Sequence, residues 1–173
     1  ATFVAPEGTA FRCLPAWRVV QTDWHSRRYR RRADFHDLVG IPGFYVDDGG
    51  YWNIAGYSGL LVPYRDKSGL IQGMQIRLDD ENKPDRKYRW LSSKTRKFGT
   101  RSRSWLHVTG NIHAKTAYLT EGGLKGDVAS FLDNDALFIC FAGVNAIGGL
   151  KETLAGLSLS EVVIALDMDK MMN

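Results

Sequence analysis

The spacing of apolar residues changes character near residue 116. Before that point, short apolar runs are separated by glycine, proline and polar turn signals, and this pattern predicts β-strands. The segments "SGLLVPYRD" (58–66) and "LIQGMQIRLDD" (70–80) flank the turn "KSG" and predict a hairpin, while "KYRWLSS" and "SWLHV" predict further strands. In this part of the chain a helix is predicted only over 23–40. Asp23 is its candidate N-cap, and the segment contains no glycine or proline before Gly40.

The last third alternates apolar strands with segments of helical spacing. The strands are "TAYLTEGG" (116–123), "ALFICFAG" (136–143) and "SEVVIALDMD" (160–169), and the branched apolar run of the last one predicts a buried strand. Between them, "GLKETLAGL" predicts one helix, and "LKGDVASFL" predicts another from the spacing of Leu124, Val128, Phe131 and Leu132. A β-α-β-α-β order requires parallel strands joined by right-handed crossovers.

These patterns predict an α+β fold in which a mainly β part is followed by an α/β part with a parallel sheet. The predicted division is a basic N-terminal segment over 1–57, a basic β lobe over 58–115 and an α/β lobe over 116–173. The chain holds no apolar stretch of the roughly 18 residues that a membrane span needs. Cys13 and Cys140 form no C-x-x-C pair, and Cys140 lies in an apolar run, so we expect a buried thiol and a reducing cytoplasm.

Positive charge is concentrated in two windows of the sequence. The formal net charge is +4, yet 17 of the 23 Lys and Arg residues fall within 12–32 and 83–115, where Asp23 and Asp85 are the only acids. Trp, Tyr and Phe are interleaved with these cations, which is typical of surfaces that bind single-stranded nucleic acid. The alternative is a solvated basic surface. Trp90 and Trp105 are candidate stacking platforms, and the alternative for each is a place in the core.

Acidic side chains stand where two of the predicted parallel strands end. Glu121 ends the first, and Asp167 and Asp169 end the last, at the carboxyl edge where parallel sheets carry their working groups. Clustered carboxylates repel unless a cation lies among them, and Mg²⁺ or Mn²⁺ suits oxygen ligands of this kind. The alternative is that the two aspartates face water. Lys125, one helical turn after Glu121, is a candidate phosphate ligand or a solvated lysine.

Several of these segments resemble a known family. "YLTEGGLKGDVAS", "FAGVNA" and "VVIALDMDK" are similar to a Toprim domain, whose pattern is a Glu after the first strand and D-x-D after the third; Glu121, Asp167 and Asp169 match it. The preceding "GLLVPYRDKSGLIQGMQIRLDD" and "KYRWLSS" resemble the segment upstream of Toprim in DnaG-type primases. The resemblance covers 59–173 and is greatest to primase-like proteins of plasmids, phages and integrative elements.

The resemblance implies a primase-like nucleotidyltransferase that makes primers on single-stranded DNA from nucleoside triphosphates, with Mg²⁺ or Mn²⁺ on the three matched acids and a replicative helicase as partner. Arg77 and Lys87 fall on family basic positions, and Arg101 and Arg103 stand where the family often has a lysine, which implies phosphate binding. Leu91 replaces a family Asn, and we expect the zinc module that commonly precedes primases to be absent. The chain ends four residues after Asp169, so we expect either a fragment, inactive by itself, or a short sheet. The alternatives are a Toprim-type nuclease and a non-catalytic nucleic-acid-binding module of a replication protein.

Overall fold

A computed structural model describes residues 2–4, 10–12, 38–79 and 87–167 of the chain. The described part divides into two units. The first unit takes the described residues up to Pro63 together with Gly73–Arg103, and the second takes Tyr64–Gln72 together with the described residues from Ser104 onwards. The predicted helix over 23–40 lies almost wholly outside the described residues. The three-segment division into 1–57, 58–115 and 116–173 stays a prediction.

The first unit is built from antiparallel strands, as its turn-rich sequence predicts. Its strands are β1 (Thr2–Val4), β2 (Ala10–Arg12), β3 (Phe44–Val46), β4 (Trp52–Ile54), β5 (Gly59–Arg65), β6 (Ile71–Leu78) and β7 (Tyr88–Trp90). One sheet has the order β2-β1-β6-β5 with β7 paired to β6, and β3 and β4 form a separate hairpin. Val62 and Ile76 are buried and belong to the hydrophobic core of this unit, together with Trp52 and Leu91. The predicted hairpin is formed by β5 and β6, and its outer end belongs to the second unit.

The second unit contains the predicted alternation of strands and helices. Its elements are β8 (His107–Gly110), β9 (Thr116–Glu121), α1 (Gly123–Leu132), β10 (Leu137–Phe141), α2 (Leu150–Ala155) and β11 (Glu161–Ala165). The sheet order is β11-β9-β10-β8, in which β9 is parallel to both β10 and β11 while β8 is antiparallel to β10. The α+β fold class, with a mainly β part and an α/β part that contains a parallel sheet, is confirmed. No helix in the described part of the chain is long and apolar enough to cross a membrane.

Among the strands over 38–79 and 87–167, β10 is the most buried, and the prediction that the last strand is buried is wrong. All five residues of β10 are buried at the centre of the sheet. In contrast, β11 pairs only with β9 among the described residues, and its Val162 and Ile164 are 41% and 69% exposed. The reason is the sheet order. A central strand is flanked by a strand on each side, whereas an edge strand is flanked on one side only, so its side chains are more exposed even when they are apolar.

Helix α1 packs on the sheet through glycines and not through its large apolar residues. Gly123 and Gly126 are its buried positions, and a Cβ added at Gly126 would overlap Sγ of Cys140 on β10. The four apolar residues that defined the helical spacing are all exposed: Leu124 37%, Val128 53%, Phe131 70% and Leu132 78%. Small residues allow a close approach of helix to sheet, so the helix turns its glycine side toward β10.

Cys140 is a buried thiol, as its apolar run predicts. It is fully buried on β10. Burial, together with the charge of Asp127, raises the pKa of the Cys140 thiol to about 12. A thiol with so high a pKa is inert as a nucleophile and as a metal ligand, so this cysteine serves packing. Cys13 lies outside the described residues.

Candidate functional site

Two of the three predicted acids lie at the same edge of the second unit's sheet. Strand β9 ends at Glu121, and the parallel pairing of β11 with β9 puts Ala165 opposite Thr120. Asp167, two residues after Ala165, therefore follows its strand at the edge where Glu121 stands. Both side chains are half-buried. Asp169 lies outside the described residues, so the place of the third acid stays a prediction.

Lys125 contacts one of these acids directly. Its Nζ donates to Oδ2 of Asp167 at 2.5 Å. The two side chains are 58% and 42% exposed, so water screens the pair and its contribution to stability is small. The contact joins the first turn of α1 to the chain that follows β11. The structure thus brings Lys125 to the acid edge, where its predicted role as a phosphate ligand stays a prediction.

The donor chemistry at this edge fits a magnesium ion. Mg²⁺ is usually held by one or two carboxylates and takes its other ligands from water and substrate phosphates. Glu121 and Asp167 provide two carboxylates from adjacent strands. No group of three His, Cys, Asp or Glu residues within 38–79 and 87–167 is placed to hold a metal ion by protein ligands alone. An ion at this edge would therefore depend on substrate phosphates, and on Asp169.

A glycine pair and a buried tyrosine build the turn that follows Glu121. Gly122 has a φ of +86°, a left-handed conformation that glycine adopts without strain, and its N–H donates to the carbonyl of Phe141 at 2.7 Å. The next N–H, of Gly123, donates to Oη of the fully buried Tyr64 at 3.2 Å. These bonds hold both sides of the turn, so the carboxylate of Glu121 projects from a fixed backbone.

A buried histidine and an aspartate, which the sequence analysis missed, fasten the hairpin end to α1. His107 is fully buried. Its Nδ1 accepts the backbone N–H of Arg65 at 2.9 Å, so the ring is the Nε2–H tautomer and donates to Oδ1 of Asp127 at 2.8 Å. Tyr64 contacts the His107 ring with centroids 5.6 Å apart. The sequence features that could have predicted this pair were a lone histidine in the apolar strand "SWLHV" and one acidic residue within an apolar helix.

The environment of Asp127 favours its ionised form. Burial by itself would raise the pKa of this carboxyl. The hydrogen bond from His107, the electrostatic influence of that ring and a hydrogen bond from Thr109 outweigh the burial, so the pKa of Asp127 lies below its ordinary value of 3.8. A carboxyl whose pKa is lower in the folded state stabilises the fold above its unfolded pKa. That stabilisation is lost as the pH falls through the folded pKa.

We expect Asp127→Asn to melt at a lower temperature than the parent chain at neutral pH, because the charge-assisted bond to His107 is lost. The difference in melting temperature should narrow as the pH falls below 3.8 and through the lower pKa that Asp127 has in the folded protein. Its carboxyl is then neutral, as the amide of the variant is at every pH. Thermal melting of both proteins across a pH series measures it. Asp135→Asn, at an exposed acid after α1, is the matched control and should show no such gap. If the difference in melting temperature between the parent and Asp127→Asn stayed constant at acidic pH, the ionised carboxyl of Asp127 would not be its cause.

The predicted phosphate-binding residues of the first unit are all exposed. They are Arg77, Lys87, Arg101 and Arg103. Arg77 on β6 stands directly opposite Tyr88 on β7, so the two side chains share one face of the sheet. These four lie in the first unit, whereas Glu121, Lys125 and Asp167 lie in the second.

Three aromatic side chains are exposed among the first-unit residues whose burial the structure describes. They are Tyr57 at 55%, Tyr88 at 44% and Phe98 at 43%. The guanidinium of Arg89 lies over the Tyr57 ring, 4.7 Å from its centroid, and donates to its hydroxyl at 2.7 Å. Trp90 and Trp105, the stacking candidates from the sequence, are half-buried. Exposure therefore favours other aromatic residues as platforms for nucleic-acid bases.

Comparison with known proteins shows a likeness to a solved structure. No protein-family model matches the chain, and no curated protein matches it. Among solved structures, the chain is similar to one described as "Structure of the DnaG primase catalytic domain bound to ssDNA". The identity is 17% and the TM-score 0.46, and the match covers 75% of this chain and 39% of that one. The chain thus spans about two fifths of the length of that primase domain.

Proposed function

We propose that this chain is the core of a primase-like nucleotidyltransferase that synthesises primers on single-stranded DNA with Mg²⁺ or Mn²⁺. One observation carries the proposal: the parallel register of β9 and β11 puts Glu121 and Asp167 at one edge of the sheet. The matched Toprim pattern of Glu121, Asp167 and Asp169, and the primase-like hairpin segment before it, support the same assignment.

The chain's own residues orient the reacting groups. Glu121 is the last residue of β9 and Asp167 lies two residues beyond β11, so the paired strands anchor the backbone that carries each carboxylate, as phosphoryl transfer requires. A metal ion bound there supplies positive charge that stabilises the transferred phosphoryl group and the leaving pyrophosphate. Lys125, beside Asp167, binds a phosphate oxygen of the incoming nucleoside triphosphate.

The template is bound by the basic surface of the first unit. Arg77, Lys87, Arg101 and Arg103 are exposed cations that contact backbone phosphates. Such contacts release counterions, so the affinity for single-stranded DNA falls steeply as salt rises. A replicative helicase, in the same chain or separate, is the partner that the sequence resemblance implies.

The direct test incubates the full-length protein with a single-stranded template, labelled nucleoside triphosphates and Mg²⁺, with EDTA in a parallel reaction. We expect metal-dependent labelled products that grow along the template. A second reaction holds end-labelled DNA and no nucleotides. Shortening of that DNA would replace the proposal with the nuclease alternative. DNA binding with neither reaction would replace it with a non-catalytic binding module.

A further inference from the structure

The loop over 92–103, here called the basic loop, has a backbone that is held in place at several points. Ser93 is 1% exposed, and its Oγ donates to the carbonyl of Phe44 at 2.6 Å and accepts the N–H of Thr100 at 3.0 Å. Farther along, the carbonyl of Lys97 accepts the N–H of Val46 at 3.0 Å. These bonds tie the loop to strand β3 and close it on itself, so it is an ordered part of the first unit.

One residue of the basic loop has a backbone conformation that its side chain disfavours. Phe98 has a φ of +56° and is the only non-glycine residue with a positive φ in the described part of the chain. A bulky residue in this region is strained, and such strain persists only where the surrounding structure enforces it. The ring is also 43% exposed, so burial does not compensate fully for the strain.

The charges around Phe98 indicate what its ring would meet. The basic loop has five cations and no acid, and all five are exposed: Lys94, Arg96, Lys97, Arg101 and Arg103. Such a loop attracts a polyanion. An exposed ring among the cations adds a surface on which every nucleic-acid base can stack. Lys97 Nζ lies 5.8 Å from the ring centroid, near the limit of cation–π attraction.

We propose that Phe98 is a stacking platform for an unpaired base of single-stranded nucleic acid, whose phosphates are held by the cations of the basic loop. The inference deepens the proposed function and rests on it. Tyr57 makes an informative contrast. It is more exposed than Phe98, but its ring already carries the Arg89 guanidinium, which is also hydrogen-bonded to its hydroxyl. Phe98 is the exposed aromatic residue that lies within the basic loop itself, next to its cations.

The test replaces Phe98 by Asn, which accepts left-handed backbone and has no ring. We expect the affinity of the chain for a dT oligonucleotide, measured by fluorescence anisotropy, to fall about tenfold. The melting temperature should stay the same or rise, because the strain is relieved. Phe98→Tyr keeps the ring and should bind as the parent does. Tyr57→Leu is the matched control and should also bind as the parent does.

Two further measurements separate stacking from charge. The parent should bind an abasic oligonucleotide about as weakly as Phe98→Asn binds dT, and Phe98→Asn should bind heparin as the parent does. The inference would be overturned if Phe98→Asn bound dT as tightly as the parent, or if Phe98→Tyr or Tyr57→Leu lost as much dT affinity as Phe98→Asn. It would also be overturned if Phe98→Asn lost as much affinity for heparin as for dT. If Arg101→Ala still weakens DNA binding in that case, the proposed function stands. A parent chain that does not bind single-stranded DNA would overturn both.

Discussion

Glu121→Gln is expected to reduce primer synthesis by the full-length protein on the order of 100-fold, because it removes a carboxylate from the edge where the phosphoryl group is transferred. Gln has the same shape and can still accept hydrogen bonds, so the fold and the binding of single-stranded DNA should remain. The melting temperature should stay the same or rise, since one of the negative charges at this edge is gone. The rate of labelled primer formation at saturating nucleotide measures the effect, and calorimetric titration with Mg²⁺ measures the loss of metal binding.

Glu161→Gln is the matched control for this experiment. Glu161 begins β11 opposite Thr116, at the amino end of the same parallel pair, and its side chain is exposed. The substitution is chemically identical but lies at the other edge of the sheet, so primer synthesis should be unchanged. If Glu121→Gln made primers at the wild-type rate, or if Glu161→Gln lost as much primer synthesis, the carboxylates at the Glu121 edge of the sheet would have no role in catalysis. Asp169→Asn extends the test to the acid outside the described residues, with the same expected loss.

Gly126→Val should destabilise the second unit by on the order of 3 kcal/mol, the upper range of the cost of overpacking a core. The first added carbon overlaps Sγ of Cys140, and the same Cβ comes within 3.4 Å of Cγ2 of Thr109. Valine gains only a few tenths of a kcal/mol over glycine in helix propensity, which is too little to offset the overlap. Since domains are stable by about 5–15 kcal/mol, the loss is easily seen in urea or thermal unfolding.

A double-mutant cycle shows whether the contact with Cys140 is the cause. Cys140→Ala removes the sulfur atom that the new side chain would meet, so Gly126→Val should cost less in that background than in the parent. Val128→Ala, on the exposed side of the same helix at 53% exposure, should change stability little. Equal costs of Gly126→Val with and without the sulfur would show that helix and β10 do not meet at this point.

The buried network around His107 could not be read from the sequence, although each member is visible in it. His107, Asp127 and Tyr64 stand far apart along the chain and meet only because the outer end of the β5–β6 hairpin and α1 both belong to the second unit. Nothing local distinguishes a buried hydrogen-bonded histidine from one on a strand surface. The same holds for Phe98, whose strained backbone follows from hydrogen bonds between distant segments.

The sequence by itself determined the alternation of strands and helices in the second unit and the positions of Glu121 and Asp167 at the carboxyl ends of its parallel strands. Both are local properties, because apolar periodicity and glycine turn signals act over a few residues. Only the tertiary structure decided that β10 is central and β11 lies at the edge, so the strand with the branched apolar run is the exposed one. It also decided that α1 presents Gly123 and Gly126 to the sheet. Strand order and helix orientation depend on how closely segments that are distant in the sequence pack against each other. The apolar spacing within one segment does not determine that packing.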